Sequence, residues 1–281
     1  MAILWNGLKY TFTIGLILAL AFVCSVFGVL LVAKMTNQEW ATTNYYMAVP
    51  ADARNSAEGG IVSGGTDQTP AAPPAPPVKK RSAMLDAPAI RQHPELPAGC
   101  EVTSLAMLLQ FVGLDKSKME LAAELAKDPT GIRWGADGKV AYWGDPNTGF
   151  VGDITGQSKA FGIYHKGLLP LLQKYIPAGM DMTGKSFDRL EEQISSGAPV
   201  IAWTTINFGV PTQWVSWDSP NGTVRTTFLE HAVLLIGYDE NYVYANDPWT
   251  GAKDVKIDKQ KFIATWEAMG KQALSYENKG G

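Results

Sequence analysis

The sequence predicts an α+β fold. Three observations carry that reading. Apolar residues recur at helical spacing early in the soluble part, runs rich in β-branched and aromatic residues fill its second half, and a short polar stretch between two of those runs has the character of a hairpin loop. Two appendages stand in front of this domain.

The chain has 281 residues and a formal net charge of −3. After a short tail, 1–9, residues 10–33 carry no charge and are flanked by Lys9 and Lys34. A span of about 20 apolar residues crosses a bilayer, and a signal peptide has a shorter apolar region, so the segment predicts an uncleaved membrane anchor. The slight excess of positive charge before it favours an inside N-terminus and an extracellular domain. Residues 34–83 read as a linker, with Gly-Ser stretches that are flexible and a Pro-rich part that is extended, as in "GGIVSGGTDQTPAAPPAPPVKKR".

From 84 to 281 the composition is that of a folded domain. A helix is predicted from Cys100 to Val112, with Val102, Leu105, Ala106, Leu109 and Val112 at helical spacing and Gly113 as its stop. A second opens on the capping-box pattern Ser117-Lys118-Met119-Glu120. A long Gly- and Trp-rich loop, 129–153, follows; loops of that length often bind ligands. A third helix fits Phe187, Leu190 and Ile194. Strands are predicted at "APVIAWTTI", "EHAVLLIGYD" and "NYVYAND", then a short helix at "KFIATWEAMG" and a strand at "QALSY".

The composition excludes several functions. Lys79-Lys80-Arg81 is the longest basic run, which argues against nucleic acid as a partner. Of the two cysteines, Cys24 lies in the apolar segment, so Cys100 stands alone in the soluble part. Neither an internal disulfide nor a cysteine-rich zinc site can form there. His165 has no cysteine or carboxylate at a ligand spacing and reads as structural, and His93 reads as solvated. "DPNTGFVGD" lacks the order of ligands that a calcium loop requires.

Three other residues share one chemistry. A thiol needs help to ionise at neutral pH, and a helix N-terminus and a neighbouring imidazolium both supply positive charge. Cys100 opens its helix behind Pro97-Ala98-Gly99, His231 begins a strand and Asp247 ends the next. A three-residue loop, 239–241, pairs Tyr238 with Tyr242, sets Asp247 opposite Val233 and makes Asp247 a diagonal neighbour of His231. A loop centred one residue earlier makes them direct opposites, and a two- or four-residue loop puts them on opposite faces. In this arrangement Cys100 is the nucleophile, His231 the acid and base, and Asp247 the group that orients the ring. The backbone N–H of Cys100 and the side-chain amide of Gln92 are candidate oxyanion donors. Loss of one such donor costs about 3 to 4 kcal/mol of transition-state stabilisation.

The segments "Q…LPAGCEVTSLAMLL", "GAPVIAWTT", "EHAVLLIGYD" and "VYANDP" occur here in order. Together they resemble the stand-alone branch of the bacteriocin-processing (double-glycine leader) peptidase-like family, C39-like, within the papain-like cysteine peptidase superfamily. The resemblance covers about Pro88 to Leu274. It implies a papain-like fold with a helical half carrying the cysteine and a sheet half carrying the histidine. It implies catalytic roles for Cys100, His231, Asp247 and Gln92, and a place in a bacterial envelope. Transporter-linked members usually have Asp-Cys-Gly where this chain has Gly99-Cys100-Glu101, and their transporter and ATPase domains have no counterpart here.

The expectation is a membrane-anchored cysteine peptidase-like hydrolase that cleaves peptide or amide bonds through a thioester. It calls for no metal and no organic cofactor. Its partners are a peptide or protein substrate and the membrane, with no nucleic acid, and Trp134, Trp143 and Trp249 border the substrate groove. The alternatives are a related acyl-transfer enzyme, such as a transamidase or peptidoglycan amidase, and a catalytically silent peptide-binding domain of the envelope.

Overall fold

The computed structural model describes residues 79–278, all within the unit Pro70–Gly281. The predicted anchor, 10–33, and nearly all of the predicted linker lie outside the described residues. Among the described residues no helix is long and apolar enough to cross a membrane.

The elements are, in chain order, β1 (Ala83–Met84), α1 (Cys100–Phe111), α2 (Lys118–Glu124), β2 (Lys127–Asp128), β3 (Arg133–Trp134), β4 (Val140–Tyr142), β5 (Phe150–Gly152) and β6 (Ala160–Gly162). Then come α3 (His165–Tyr175), β7 (Gly179–Asp181), α4 (Phe187–Ser195), β8 (Val200–Thr205), β9 (Val215–Ser219) and β10 (Gly222–Thr226). The chain closes with β11 (Glu230–Tyr238), β12 (Tyr242–Asp247), β13 (Ala252–Asp258), α5 (Lys259–Ala268) and β14 (Ala273–Tyr276). The main sheet has seven strands in the order β13-β12-β11-β8-β14-β7, with β1 paired to the far end of β11. Two smaller sheets, β10-β9-β4-β3 and β2-β5-β6, flank it.

Side-chain alternation splits the main sheet between two cores. Ile201 and Trp203 of β8 and Ala232 and Leu234 of β11 face α1 and α3. Val200, Ala202, Val233 and Leu235 face the opposite layer, where Leu190 and Ile194 of α4 and Phe262 and Trp266 of α5 cover them. This is a mixed α/β arrangement of three layers.

The predicted helix at Cys100 forms with nearly the predicted bounds, but its setting differs. The sequence suggested one apolar stripe, whereas every residue from Cys100 to Leu109 is buried. A helix wrapped on all sides must satisfy its polar side chains internally. Ser104 does so by donating to the Ala232 carbonyl at 3.2 Å. The capping box of α2 is present as read: Ser117 Oγ accepts from the Glu120 N–H, and the Glu120 carboxylate accepts from the Ser117 N–H at 2.9 Å.

The stretch 129–153 is not the single long loop expected. It contains β3, β4 and β5, too short to show a period of two. Trp143, expected at a groove, is buried against Trp217 with ring centroids 5.6 Å apart. The sequence reading also missed α3, which carries Gly167 and Pro170 in its interior. Proline removes a helix hydrogen bond, yet Leu168, Leu171 and Leu172 bury themselves against α1 and hold the helix together. A side chain at Gly167 would meet Ile163 Cγ1 at 2.7 Å, so the helix packs there only with glycine.

Candidate active site

The turn before α1 is set by close packing. Gly99 is the residue that precedes the helix, and a Cβ there would lie 2.6 Å from the Cβ of Leu96. Only glycine lets the chain enter α1 with Leu96 buried beneath it, and this places Cys100 on the first turn. The first N–H groups of a helix have no partner within it, so the Cys100 N–H stands at the end that can receive negative charge.

His231 and Asp247 come together by a route the sequence did not suggest. An odd hairpin loop was expected. Instead Tyr238 pairs with Val243, and the Asp239 N–H donates to the Tyr242 carbonyl at 2.9 Å, which makes the connection even. An even loop alone would separate the two side chains. A bulge between Leu235 and Gly237 adds one residue to β11, because Leu235 pairs with Ala245 and Gly237 with Tyr244. The added residue restores the parity. Leu234 then lies opposite Asn246, and Asp247 reaches the same face as His231.

The His231 Nε2 lies 2.7 Å from Asp247 Oδ1. Burial by itself would raise the Asp247 carboxyl, but the His231 hydrogen bond and charge and the Thr250 hydroxyl outweigh it and hold its pKa below the ordinary value. The group is therefore a carboxylate, which can only accept, so Nε2 carries the ring proton. The other nitrogen, Nδ1, is buried without a partner and keeps its lone pair free. Asp247 is itself fixed by the Trp249 N–H at 3.0 Å and the Thr250 hydroxyl at 2.7 Å.

The Cys100 sulfur rests against the backbone N–H of Ala232, the residue after His231. Its own hydrogen bond goes to Glu101 Oε2 at 3.3 Å and not to His231. Glu101 is fixed at its other oxygen, which accepts from the Ile163 N–H at 2.7 Å. Glu230 lies beside both, with Oε1 buried and unpartnered. The helix terminus was expected to make the thiol acidic. Burial instead pushes it well up, and the Glu101 and Glu230 carboxyls add to the rise. Burial also pushes Glu101 up to about 7, and burial and its neighbour raise Glu230 well above the carboxylate range. Neither glutamate was singled out from the sequence. The signal available was position alone: one follows the cysteine and the other precedes the histidine.

Gln92 is buried and ties the two halves of the site together. Its backbone N–H donates to the Pro248 carbonyl at 2.8 Å, just past Asp247. Its side-chain amide donates to the Pro97 carbonyl at 2.8 Å, just before Cys100. His93, read as solvated, is partly exposed. It packs edge-on to Trp249 with centroids 4.7 Å apart. His165 is structural as read, with Nδ1 2.9 Å from Gln272 Oε1. A groove of about 710 Å³, lined by Trp134, Val140, Lys159, Trp214, Val215 and Phe228, opens two residues upstream of Glu230.

Comparison with known proteins bears on this geometry. The Peptidase_C39 like family matches residues 84–274. The chain is 41% identical over 182 residues to YvpB of Bacillus subtilis strain 168, described as uncharacterized, covering 64% of this chain and 70% of that protein. It is also similar to a crystal structure described as a C39-like peptidase from Bacillus anthracis, with a TM-score of 0.64 and 41% identity. That match covers 72% of this chain and all of the other.

Proposed function

The chain belongs to the Peptidase_C39 like family, and from that premise we propose that it is a cysteine peptidase of papain-like fold that cleaves peptide or amide bonds through a thioester. The observation that carries this reading is the buried His231–Asp247 pair at 2.7 Å, whose remaining ring nitrogen is free. It stands one residue from the backbone N–H that touches the Cys100 sulfur.

In this mechanism His231 Nδ1 takes the thiol proton as the sulfur attacks the substrate carbonyl. The Cys100 N–H and a Gln92 amide hydrogen stabilise the oxyanion. His231 then protonates the leaving amine and draws a proton from water to hydrolyse the thioester, while Asp247 keeps the ring in the required tautomer. The aromatic groove around Trp134 and Phe228 takes the flanking part of the substrate. The segment 10–33 anchors the enzyme, and the spacer holds the domain outside the membrane.

The test is hydrolysis of a mixed peptide library by the full-length protein, read by mass spectrometry. The account expects cleavage that falls at least about a thousandfold in Cys100→Ala and in His231→Ala. Full activity in Cys100→Ala overturns it. The Glu101 bond to the thiol favours a second reading, a domain that binds peptides without cutting them. Substrate capture with no cleavage by wild type supports that one. Adding an amine acceptor separates transfer from hydrolysis.

A further inference from the structure

Cys100, Glu101 and Glu230 form a buried cluster that the hydrolytic mechanism does not use as a unit. One donor atom from each, the Cys100 sulfur and a carboxylate oxygen of each glutamate, lies within 4.8 Å of the others. Among the described residues neither carboxyl forms an ion pair with a lysine or arginine. Glu101 accepts from the Ile163 N–H and the thiol. Glu230 is 93% buried, and its Oε1 has no partner. An unpartnered buried carboxylate oxygen costs free energy, and a ligand that accepted it would recover that cost. Gly162, at φ +146°, faces both acids, and a Cβ there would lie 2.3 Å from Glu101 Oε1 and 3.2 Å from Glu230 Oε2. Only glycine at this position lets the backbone close against the two carboxyls.

We propose that these three residues are a zinc site, and that zinc bound there holds the nucleophile in an inactive state. A thiolate with two carboxylates suits a borderline-soft divalent ion, and three protein ligands leave a fourth position for water. Tetrahedral zinc with ordinary Zn–S and Zn–O lengths sets neighbouring sulfur and oxygen ligands about 3.6 Å apart. The Cys100–Glu101 pair is already near that spacing at 3.3 Å. Binding releases the thiol proton and any carboxyl proton to solvent. The sulfur lone pair then belongs to the metal, and attack on a carbonyl stops until the ion leaves. Binding itself does not depend on the peptidase reading; the inhibitory consequence rests on it.

The experiment is a cobalt(II) titration of chelator-treated, reduced full-length protein. The expected result is a thiolate-to-cobalt charge-transfer band in the near ultraviolet that saturates at one equivalent and is displaced by zinc. The band should vanish in Cys100→Ser, and zinc affinity should fall at least about tenfold in Glu230→Gln, with circular dichroism confirming the fold of each. One equivalent of zinc should also block alkylation of Cys100 by iodoacetamide, with the chelator restoring it. No charge-transfer band in wild type, or a band unchanged in Glu230→Gln and Glu101→Gln, overturns the site. Because the titration needs no substrate, a protein that binds cobalt but cleaves nothing once the chelator has removed the metal refutes the hydrolytic reading alone. One that cleaves but shows no band refutes the metal site alone.

Discussion

At the scale of single residues, reactivity at this site is decided by which charges stand around the sulfur. A helix N-terminus favours a thiolate by a modest amount, since its effect is confined to the first turn. Against it stand burial and two carboxyls, one of them 3.3 Å away. Each tenfold change in thiolate population corresponds to one unit of pKa. Glu101→Gln keeps the shape and the Ile163 hydrogen bond and removes the charge. In chelator-treated protein at pH 8, its Cys100 is therefore expected to react with iodoacetamide about tenfold faster than in wild type; an equal or slower rate refutes the role assigned to Glu101. The same group makes stability depend on pH. Its pKa is about 7 in the folded protein against 4.5 ordinarily. Between those values the folded state keeps a proton that the unfolded chain has released. Stability conferred by that proton is complete at low pH and is lost as pH rises through 7. Urea denaturation at pH 5 and pH 8 is expected to show a midpoint that falls with pH in wild type, and falls less in Glu101→Gln.

At the scale of elements, the parts legible in the sequence are those whose signal is local. The α2 capping box joins residues three apart, so Ser117 and Glu120 announce it directly. Ser117→Ala is expected to cost about 1 kcal/mol of unfolding free energy by urea titration. The strands β8, β11 and β12 were legible because the main sheet is covered on both faces and they read as apolar runs. The hairpin was legible in outline only. Pairing of His231 with Asp247 was inferred from an odd loop, but an even loop with a bulge at Ile236 produces the same parity. A bulge leaves no reliable mark in residue types, so register could be inferred only up to that ambiguity. The helix α3 was hidden for the opposite reason: its local signals, Gly167 and Pro170, argue against a helix that tertiary packing imposes.

At the scale of the whole molecule, the site exists because α1 and β11 are packed together in one core. Cys100 comes from one and His231 from the other, 131 positions apart. The sequence named Cys100, His231 and Asp247 as candidates, and the structure joins His231 to Asp247 at 2.7 Å and sets the Cys100 sulfur against the backbone of the residue after His231. It could not reveal Glu101 and Glu230 as a pair, because their approach depends on how the start of the buried helix meets the start of the central strand. Leu234 lies in the interface between α1 and the sheet and is fully buried. Leu234→Ala is expected to destabilise the protein by about 2 to 5 kcal/mol and, under the proposed function, to slow peptide hydrolysis as well, because the cavity loosens the seat of both residues. Calorimetry together with peptide hydrolysis checks both effects.

The measurement that bears most directly on the central claim is the rate at which an electrophilic thiol probe labels Cys100 in wild type and in His231→Ala, with the fold of each confirmed. If the imidazole held by Asp247 activates the sulfur, labelling maps to Cys100 and slows at least about tenfold in the variant. Equal rates in the two proteins would contradict the account.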